Sequence, residues 1–376
     1  MKKILLLTVC LLSACMMFSA CSTTSTTDTD TSVSEEETDE ETDETEESEE
    51  KLSLVVTSFY QYDWLLQVLG DEAENFDITL LVDDGTDLHN YEPTVADMLT
   101  ITTSDMFIYT GGESDDWVAD VIAQGDNDDL NAVSMMTSLG DDVLAEIGTS
   151  NVDGEVCTDD CCTDEDHDDE EAETEEEHDH DEDEAETEEE HDHEEGEDDE
   201  HVWLSLKNAM TLTQSIANEM ATLDPDNADT YQVNATAYIE SLSELDVAYE
   251  ELISSDDIRD TVIFADRFPF TYLVTDYDLS YYAAFDGCSS ETEASFETIA
   301  WLTDAANEYD VSYLLIIETG TTDIADTIIS GMDNQDVEVL ILDSMQNVSE
   351  EMINSGTTYY SVMTSNLEVL TLALAK

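Results

Sequence analysis

Short runs of apolar residues alternate along this chain with segments in which apolar positions recur at helical spacing. LSLVV at residues 52–56 is a β-branched run typical of a buried strand. The segment after it has apolar residues at helical spacing, which would lie on one face of a helix: Trp64, Leu65, Val68 and Leu69. The runs ITLLV and MFIYT predict two more strands, with a helix between them. Strands that alternate with helices predict a parallel sheet built from βαβ units.

The same alternation resumes in the second half of the chain. Residues 202–223 have the pattern of a helix, and a longer helical segment covers residues 223–255, with Pro225 near its first turn and no glycine. A helix of about thirty residues exceeds the usual globular length, so we interpret it as a rigid connector between two lobes. Beyond it, the runs TVIFA, LSYYAAF, SYLLIIE and VEVLILD predict the strands of a second α/β lobe.

Acidic tracts separate these patterned segments. Residues 22–50 and 151–200 contain too few apolar side chains to offset the entropy of ordering, so we expect a disordered tether and a disordered insert. The predicted N-terminal lobe then covers residues 51–222, the linking helix residues 223–255, and the C-terminal lobe residues 256–376.

The first 21 residues have the layout of a secretory signal: two lysines, an apolar stretch, and small residues before Cys21. The apolar stretch is too short to span a bilayer. FSAC resembles the lipobox of bacterial lipoproteins, in which the cysteine is lipid-modified after cleavage. We therefore expect a lipid anchor at Cys21 on the extracytoplasmic face of the cell membrane. LSAC at Cys15 fits the same pattern, and an ordinary signal with incidental cysteines is the other alternative.

Charge excludes some classes of function. The chain has 7 Lys and Arg against 98 Asp and Glu, with a formal net charge of −91. This balance excludes nucleic-acid binding through a basic patch. The sequence has no HExxH, GxSxG or GxxxxGK motif, so we expect no enzyme.

Most of the histidines stand in the acidic insert. Histidine among carboxylates offers weak, hydrated sites for divalent cations, so we expect low-affinity metal binding at His167, His178, His180, His191 and His193. The insert also contains cysteines that could supply soft ligands, or one disulfide with a thiol left over, namely Cys157, Cys161 and Cys162.

His89 stands in LHNYEPTVADM, in a loop after a predicted strand, where parallel sheets place ligand residues. A lone loop histidine is more often solvated. Together with LVVTSFYQYDWLLQVLGD, DMFIYTGG, HVWLSLKNA and DPDNADTYQVNATAYIESL, however, this motif resembles the zinc/manganese solute-binding proteins of bacterial ABC transporters. The resemblance runs from about Leu52 to the C-terminus. It implies a metal site in the cleft between two lobes, with His89 and His201 as ligands from the first lobe.

The resemblance implies a third ligand, a histidine or a carboxylate, before a helix of the second lobe. VIFADRFPFTYL has no histidine there, and a gapless alignment brings Arg267 to the position. A guanidinium cannot ligate a metal, so Asp266 is our candidate. The alternative is that Asp266 pairs with Arg267 or caps the next helix.

A fourth ligand, an Asp or a water after the last strand of the second lobe, is implied in the same way. Asp343 follows VLIL and is the candidate, with a helix N-cap as the alternative role. Cys288 is the alternative third ligand because thiolate binds zinc strongly, unless it is simply a small buried residue.

The resemblance implies a monomeric binding protein that captures Zn²⁺, or alternatively Mn²⁺, and delivers it to a membrane ABC permease. Since the ligands must be deprotonated, we expect metal affinity to fall below about pH 6.5. The alternatives are a manganese-specific protein, and a surface adhesin or passive metal buffer in which the acidic tracts bind the metal.

Overall fold

The computed structural model describes residues 51–152, 198–289 and 293–376. Cys21, the predicted tether, and the histidines and cysteines of the acidic insert lie outside these ranges. Within them, no helix is both long enough and apolar enough to cross a membrane.

The N-terminal lobe is a four-stranded parallel sheet in the order β2-β1-β3-β4. Its strands are β1 (Leu52–Val56), β2 (Phe76–Leu80), β3 (Met106–Tyr109) and β4 (Asn131–Ser134). Its helices are α1 (Phe59–Leu69), α2 (Val95–Thr102), α3 (Trp117–Gln124) and α4 (Met135–Leu139). The apolar pattern did not predict β4, because NAVS has only two apolar residues and its pairing with β3 defines it.

Two helices follow the N-terminal sheet, α5 (Leu206–Leu223) and α6 (Ala228–Ile253). A 3-10 turn with Pro225 at its start separates them. The long predicted helix is therefore present, and α6 has 26 residues.

The C-terminal lobe repeats the parallel arrangement in the order β6-β5-β7-β8. Its strands are β5 (Thr261–Phe268), β6 (Ser280–Asp286), β7 (Tyr313–Ile316) and β8 (Glu338–Ile341). Its helices are α7 (Thr271–Asp276), α8 (Phe296–Glu308), α9 (Asp323–Gly331), α10 (Glu350–Asn354) and α11 (Tyr359–Ala373). The predicted fold of two α/β lobes with parallel sheets and a long helix is confirmed.

Contacts of α6 with both lobes support its role as a connector. Near its start, Asn234 donates a hydrogen bond of 3.0 Å to the carbonyl of Val68 in α1. Near its end, the Tyr249 hydroxyl donates one of 2.6 Å to the carbonyl of Met363 in α11. One helix is thus tied to each lobe by a buried or half-buried hydrogen bond.

Trp203 joins the two lobes directly beside one of the predicted ligands. Its ring is buried and stacks on Tyr60 of α1 with 4.4 Å between centroids. Its indole N–H donates to the carbonyl of Ser344 over 2.8 Å, and the Tyr359 hydroxyl donates to the Trp203 carbonyl over 2.7 Å. These contacts fix the segment after β8 against the segment that begins at His201.

Candidate metal centre

His89 is carried by a 3-10 turn, Leu88–Asn90, between β2 and α2. The turn begins at Asp87, whose Oδ1 accepts a hydrogen bond of 3.1 Å from the His89 backbone N–H. The His89 ring is largely buried, and its Nδ1 lies 2.9 Å from the hydroxyl of Ser114. A ring held on Nδ1 directs Nε2 to the opposite side, where a ligand atom is required.

His201 is fully buried and immediately precedes the 3-10 turn Val202–Leu204. One oxygen of Asp199, Oδ1, accepts from the His201 backbone N–H over 2.8 Å and lies 2.9 Å from the ring Nδ1. A carboxylate on Nδ1 favours the tautomer with the proton there, which leaves a lone pair on Nε2. Burial opposes the charge of Asp199, but the charge and hydrogen bonds of His201 lower the pKa of this carboxyl overall.

The two imidazoles converge. Their Nε2 atoms lie 3.0 Å apart although 112 residues separate them in sequence. Two nitrogens on one tetrahedral zinc ion lie about 3.3–3.4 Å apart, for Zn–N bonds of about 2.0–2.1 Å. Burial, and then the proximity of His201, lower the pKa of the His89 imidazole to about 4. His89 is therefore neutral near pH 7, which is the form that binds a metal.

Cys288, in the loop after β6, completes this group. Its Sγ and one ring nitrogen each of His89 and His201 all lie within 4.8 Å of one another. Partial desolvation, and then the negative charge of Glu146, raise the pKa of the Cys288 thiol well above its usual value. The residue as a whole is exposed, so a metal ion can reach the thiol from solvent.

Gln346 also faces the histidines, although no motif in the sequence includes it. Its Nε2 lies 2.8 Å from Nε2 of His201 and 3.3 Å from Nε2 of His89, while its Oε1 is buried without a hydrogen-bond partner. Exchange of the amide oxygen and nitrogen by rotation would direct Oε1 at the point between the rings. The only available signal was its place a few residues beyond β8.

A half-buried carboxylate, Glu318, holds the loop that carries Gln346. Its oxygens accept from the Ser344 backbone N–H over 2.7 Å, from the Ser344 hydroxyl over 2.8 Å, and from the Gln346 N–H over 3.1 Å. Three hydrogen bonds to one side chain fix the backbone of this loop, and so fix the direction in which Gln346 points.

The two predicted aspartate ligands do not join the group. Within the described residues, the set that gathers around one point is His89, His201 and Cys288. Asp266 lies in β5, where its oxygens accept from the backbone N–H groups of Arg267 and Ile317. Asp343 accepts from the N–H of Met345, two residues later. Both carboxylates therefore satisfy backbone donors, and neither caps a helix, which was the alternative role considered for each.

The downstream edge of the predicted insert belongs to the fold. Asp199 and Glu200 are buried, which corrects the expectation that residues up to 200 are disordered. One oxygen of Glu200 accepts from the Ser114 N–H over 2.6 Å, and the other lies 3.7 Å from Nδ1 of His89. Both residues thus support the two histidine rings. In the sequence, these two residues cannot be distinguished from the many other acidic residues of the tract before them.

An open pocket of about 240 Å³ leads to His89 and Cys288. Its wall contains four carboxylate side chains, Glu113, Glu146, Asp198 and Glu200. Negative charge around a concave opening raises the local concentration of cations. The approach to the three converging ligand atoms therefore favours a divalent metal ion.

Two α/β lobes joined by a long helix, with two imidazoles and a thiol converging between them, are the features of a metal-binding solute-binding protein. The chain belongs to the family described as zinc-uptake complex component A, periplasmic, whose model matches residues 55–373.

Individual relatives agree with this assignment. The chain is similar to the zinc-binding lipoprotein AdcA of Streptococcus pneumoniae, with 30% identity over 85% of this chain and 55% of AdcA. It is 28% identical to the high-affinity zinc uptake system protein ZnuA of Bacillus subtilis, over 85% of this chain and 87% of ZnuA. The crystal structure of the Zn(II)-bound ZnuA-like domain of S. pneumoniae AdcA covers 87% of this chain and all of that domain, with 25% identity and a TM-score of 0.61. The chain thus spans about half the length of the AdcA proteins it matches.

Proposed function

We propose that this protein captures Zn²⁺ outside the cytoplasm and delivers it to a membrane ABC permease for import. The observation that carries the proposal is the convergence of His89, His201 and Cys288 at the interlobe cleft. The names of the relatives, a zinc-binding lipoprotein and a zinc uptake protein, support the cargo and the pathway. The word lipoprotein in the first name supports a lipid anchor, which we propose at Cys21, and both names favour a carrier over an enzyme.

The proposed ligand set is Nε2 of His89 and His201, the thiolate of Cys288, and the amide oxygen of Gln346. Two imidazoles and a thiolate form a donor set that suits tetrahedral zinc. Manganese prefers carboxylate, carbonyl and water oxygens, so the thiolate favours zinc over manganese. Cys288 therefore takes the place that the sequence analysis gave first to Asp266.

Capture uses both lobes. The histidines reach the cleft from the N-terminal lobe, while Cys288 and Gln346 reach it from loops after β6 and β8 of the C-terminal lobe. An ion completes its coordination only when the two halves meet. Because α6 is tied to both lobes, the expected movement between free and loaded forms is small.

The acidic insert is proposed to collect metal ions for this site. Its five histidines provide many weak sites, and its C-terminal edge runs into Asp198–Glu200 at the mouth of the pocket. The insert would then raise the local zinc concentration without determining the affinity of the folded site.

Deletion of residues 153–197 tests the proposal. The deletion keeps Asp199 and Glu200, which support the histidine rings. We expect one tight zinc site per chain to remain, measured by competition with a chromophoric chelator, and weaker binding of Mn²⁺ in the same assay. Loss of all specific binding would instead favour a passive metal buffer based on the insert, and tighter Mn²⁺ than Zn²⁺ binding would favour a manganese carrier.

A further inference from the structure

Arg267 is the one Lys or Arg among the described residues that lines the cavity between the lobes near His89. This cavity of about 250 Å³ has Asp87 on the N-terminal side and Arg267 and Thr319 on the C-terminal side. The guanidinium Nη2 donates to Oδ2 of Asp87 over 2.7 Å and to the Thr319 hydroxyl over 3.2 Å. The Asp87 and Arg267 side chains are 12% and 14% exposed, so the pair is shielded from most solvent.

Asp87 has a second partner, and that partner is the ligand-bearing turn. While Oδ2 binds Arg267, Oδ1 accepts from the backbone N–H of His89 over 3.1 Å. One carboxylate therefore links a cation of the C-terminal lobe to the backbone of a proposed zinc ligand in the N-terminal lobe. The hydrogen bond to Arg267 is charge-assisted, and such bonds hold their partners in narrower geometry than neutral ones.

A guanidinium near a site for a dication opposes binding through its charge. The ion pair with Asp87 cancels most of the repulsion between the guanidinium and the metal ion. Arg267 is therefore compatible with metal binding only while this pair is intact. The register of β5 also shifts between Phe264 and Arg267, and this irregularity lies where the side chain leaves the strand for the cleft.

We propose that Arg267 is a positioning residue for zinc capture: through Asp87 it holds the turn of His89 in the orientation that meets His201. Arg267 stands at the position that the gapless alignment gave to the third ligand. In this chain the residue at that position orients a proposed ligand instead of binding the ion itself. The inference rests on the proposed zinc function.

Three variants test the Asp87–Arg267 pair: Arg267→Met, Asp87→Asn and the double variant, which restores the net charge of the wild type. We expect zinc affinity to fall about tenfold in each single variant, by analogy with residues that orient metal ligands. The zinc affinity of the double variant should fall about as far as that of the single variant that binds zinc less tightly, and no further. Both substitutions break the same link. Arg267→Lys should recover part of the loss, since it keeps the charge but not the planar geometry.

Lys207→Met is the matched control. It also removes one positive charge and breaks one ion pair, between Lys207 and Asp276, and neither residue lines either cavity. We expect its zinc affinity to equal that of the wild type. If Arg267 acts only as a nearby charge, Arg267→Met will bind zinc more tightly than the wild type, and the proposal is wrong. Unchanged affinity in Arg267→Met would overturn it as well.

A readout without metal separates this inference from the zinc function. In the metal-free protein, hydrogen exchange of the His89 backbone N–H should be about tenfold faster in Arg267→Met than in the wild type, while the Ala209 N–H in α5 is unchanged. Equal exchange in both proteins would overturn the positioning role. Absence of zinc binding by the wild type, with the exchange difference present, would instead overturn the proposed function.

Discussion

The two halves of the candidate metal centre differ in how firmly their side chains are held. In the N-terminal half, His201 is buried and the His89 ring largely so, and each ring has a partner on Nδ1, the carboxylate of Asp199 or the hydroxyl of Ser114. In the C-terminal half, Cys288 is exposed, and its backbone N–H makes a long contact of 3.4 Å with Glu146. The two rings are therefore held in place by hydrogen bonds, whereas the Cys288 residue is open to solvent. Side chains that are already held in place bind a ligand at low entropic cost.

The halves also differ in protonation. Burial and the neighbouring ring lower the pKa of His89 to about 4, so this ligand holds no proton near pH 7. Desolvation and the surrounding carboxylates raise the pKa of Cys288, so the thiol is protonated there. The histidine half is ready to bind, while the cysteine half must first release a proton to the solvent.

Removal of a buried histidine should have the largest effect. Structural zinc sites bind with about 10–16 kcal/mol through four ligands, so loss of one ligand costs about 3 kcal/mol, or roughly 100-fold in affinity. We expect His201→Ala to lose at least this much, measured by chelator competition, since it also leaves Asp199 buried without its partner. His193→Ala in the acidic insert is the control. An equal loss in that control would show that the insert and not the cleft binds the ion.

Replacement of the thiol should have a smaller effect, because the rest of the site is already formed. We expect Cys288→Ser to lower the zinc affinity about 30-fold, since a hydroxyl is a poorer zinc ligand than a thiolate. The Co²⁺ form of the wild type should show thiolate-to-metal charge-transfer absorption, and the variant should lack it. Retention of that absorption in Cys288→Ser would mean that another cysteine ligates the ion.

The pH dependence of zinc affinity should include the proton of Cys288 and, above about pH 5, no proton of His89. The pKa of the thiol is raised, so between about pH 6 and 8 the free protein holds this proton and the complex does not. Affinity should therefore rise about tenfold per pH unit from the thiol, and the slope should decrease by one in Cys288→Ser. His89, with a pKa of about 4, should add nothing above about pH 5. A slope that is the same in both proteins would show that Cys288 is not a ligand.

The aspartates should have the smallest effect. Asp343→Asn keeps the oxygen that accepts from Met345, and Asp266→Asn keeps one of the two oxygens that accept from Arg267 and Ile317. We expect zinc affinity within about twofold of the wild type in both variants, in the same competition assay. A tenfold loss in Asp266→Asn, with unchanged thermal stability, would restore it as the third ligand.

Much of the fold followed from local patterns. Seven of the eight strands in the described residues overlap the apolar runs that predicted them, and a long helix lies where the glycine-free segment indicated. The strand that was missed, Asn131–Ser134, has two apolar residues and is defined by its pairing with β3. The alternation of apolar and polar residues that marks a strand cannot be recognised in a segment of only four residues.

The site was only partly accessible to the same reasoning. His89 and His201 were found because each stands in a recognisable motif, and Cys288 was considered because of its chemistry. Asp199 was assigned to the disordered insert, since an acid beside many other acids carries no distinguishing signal. Gln346 was overlooked because an amide is a common surface residue and nothing near it in sequence marks it.

The sequence by itself determined the class of fold, the cleft histidines and the excess of negative charge that attracts cations. Tertiary structure alone decided that Cys288 joins the two rings, that Gln346 faces them, and that Arg267 pairs with Asp87. The physical reason is distance along the chain. Side-chain type and apolar period are local properties, whereas His89 meets His201 across 112 residues and Gln346 across 257, and only the packing of two separate sheets sets such contacts.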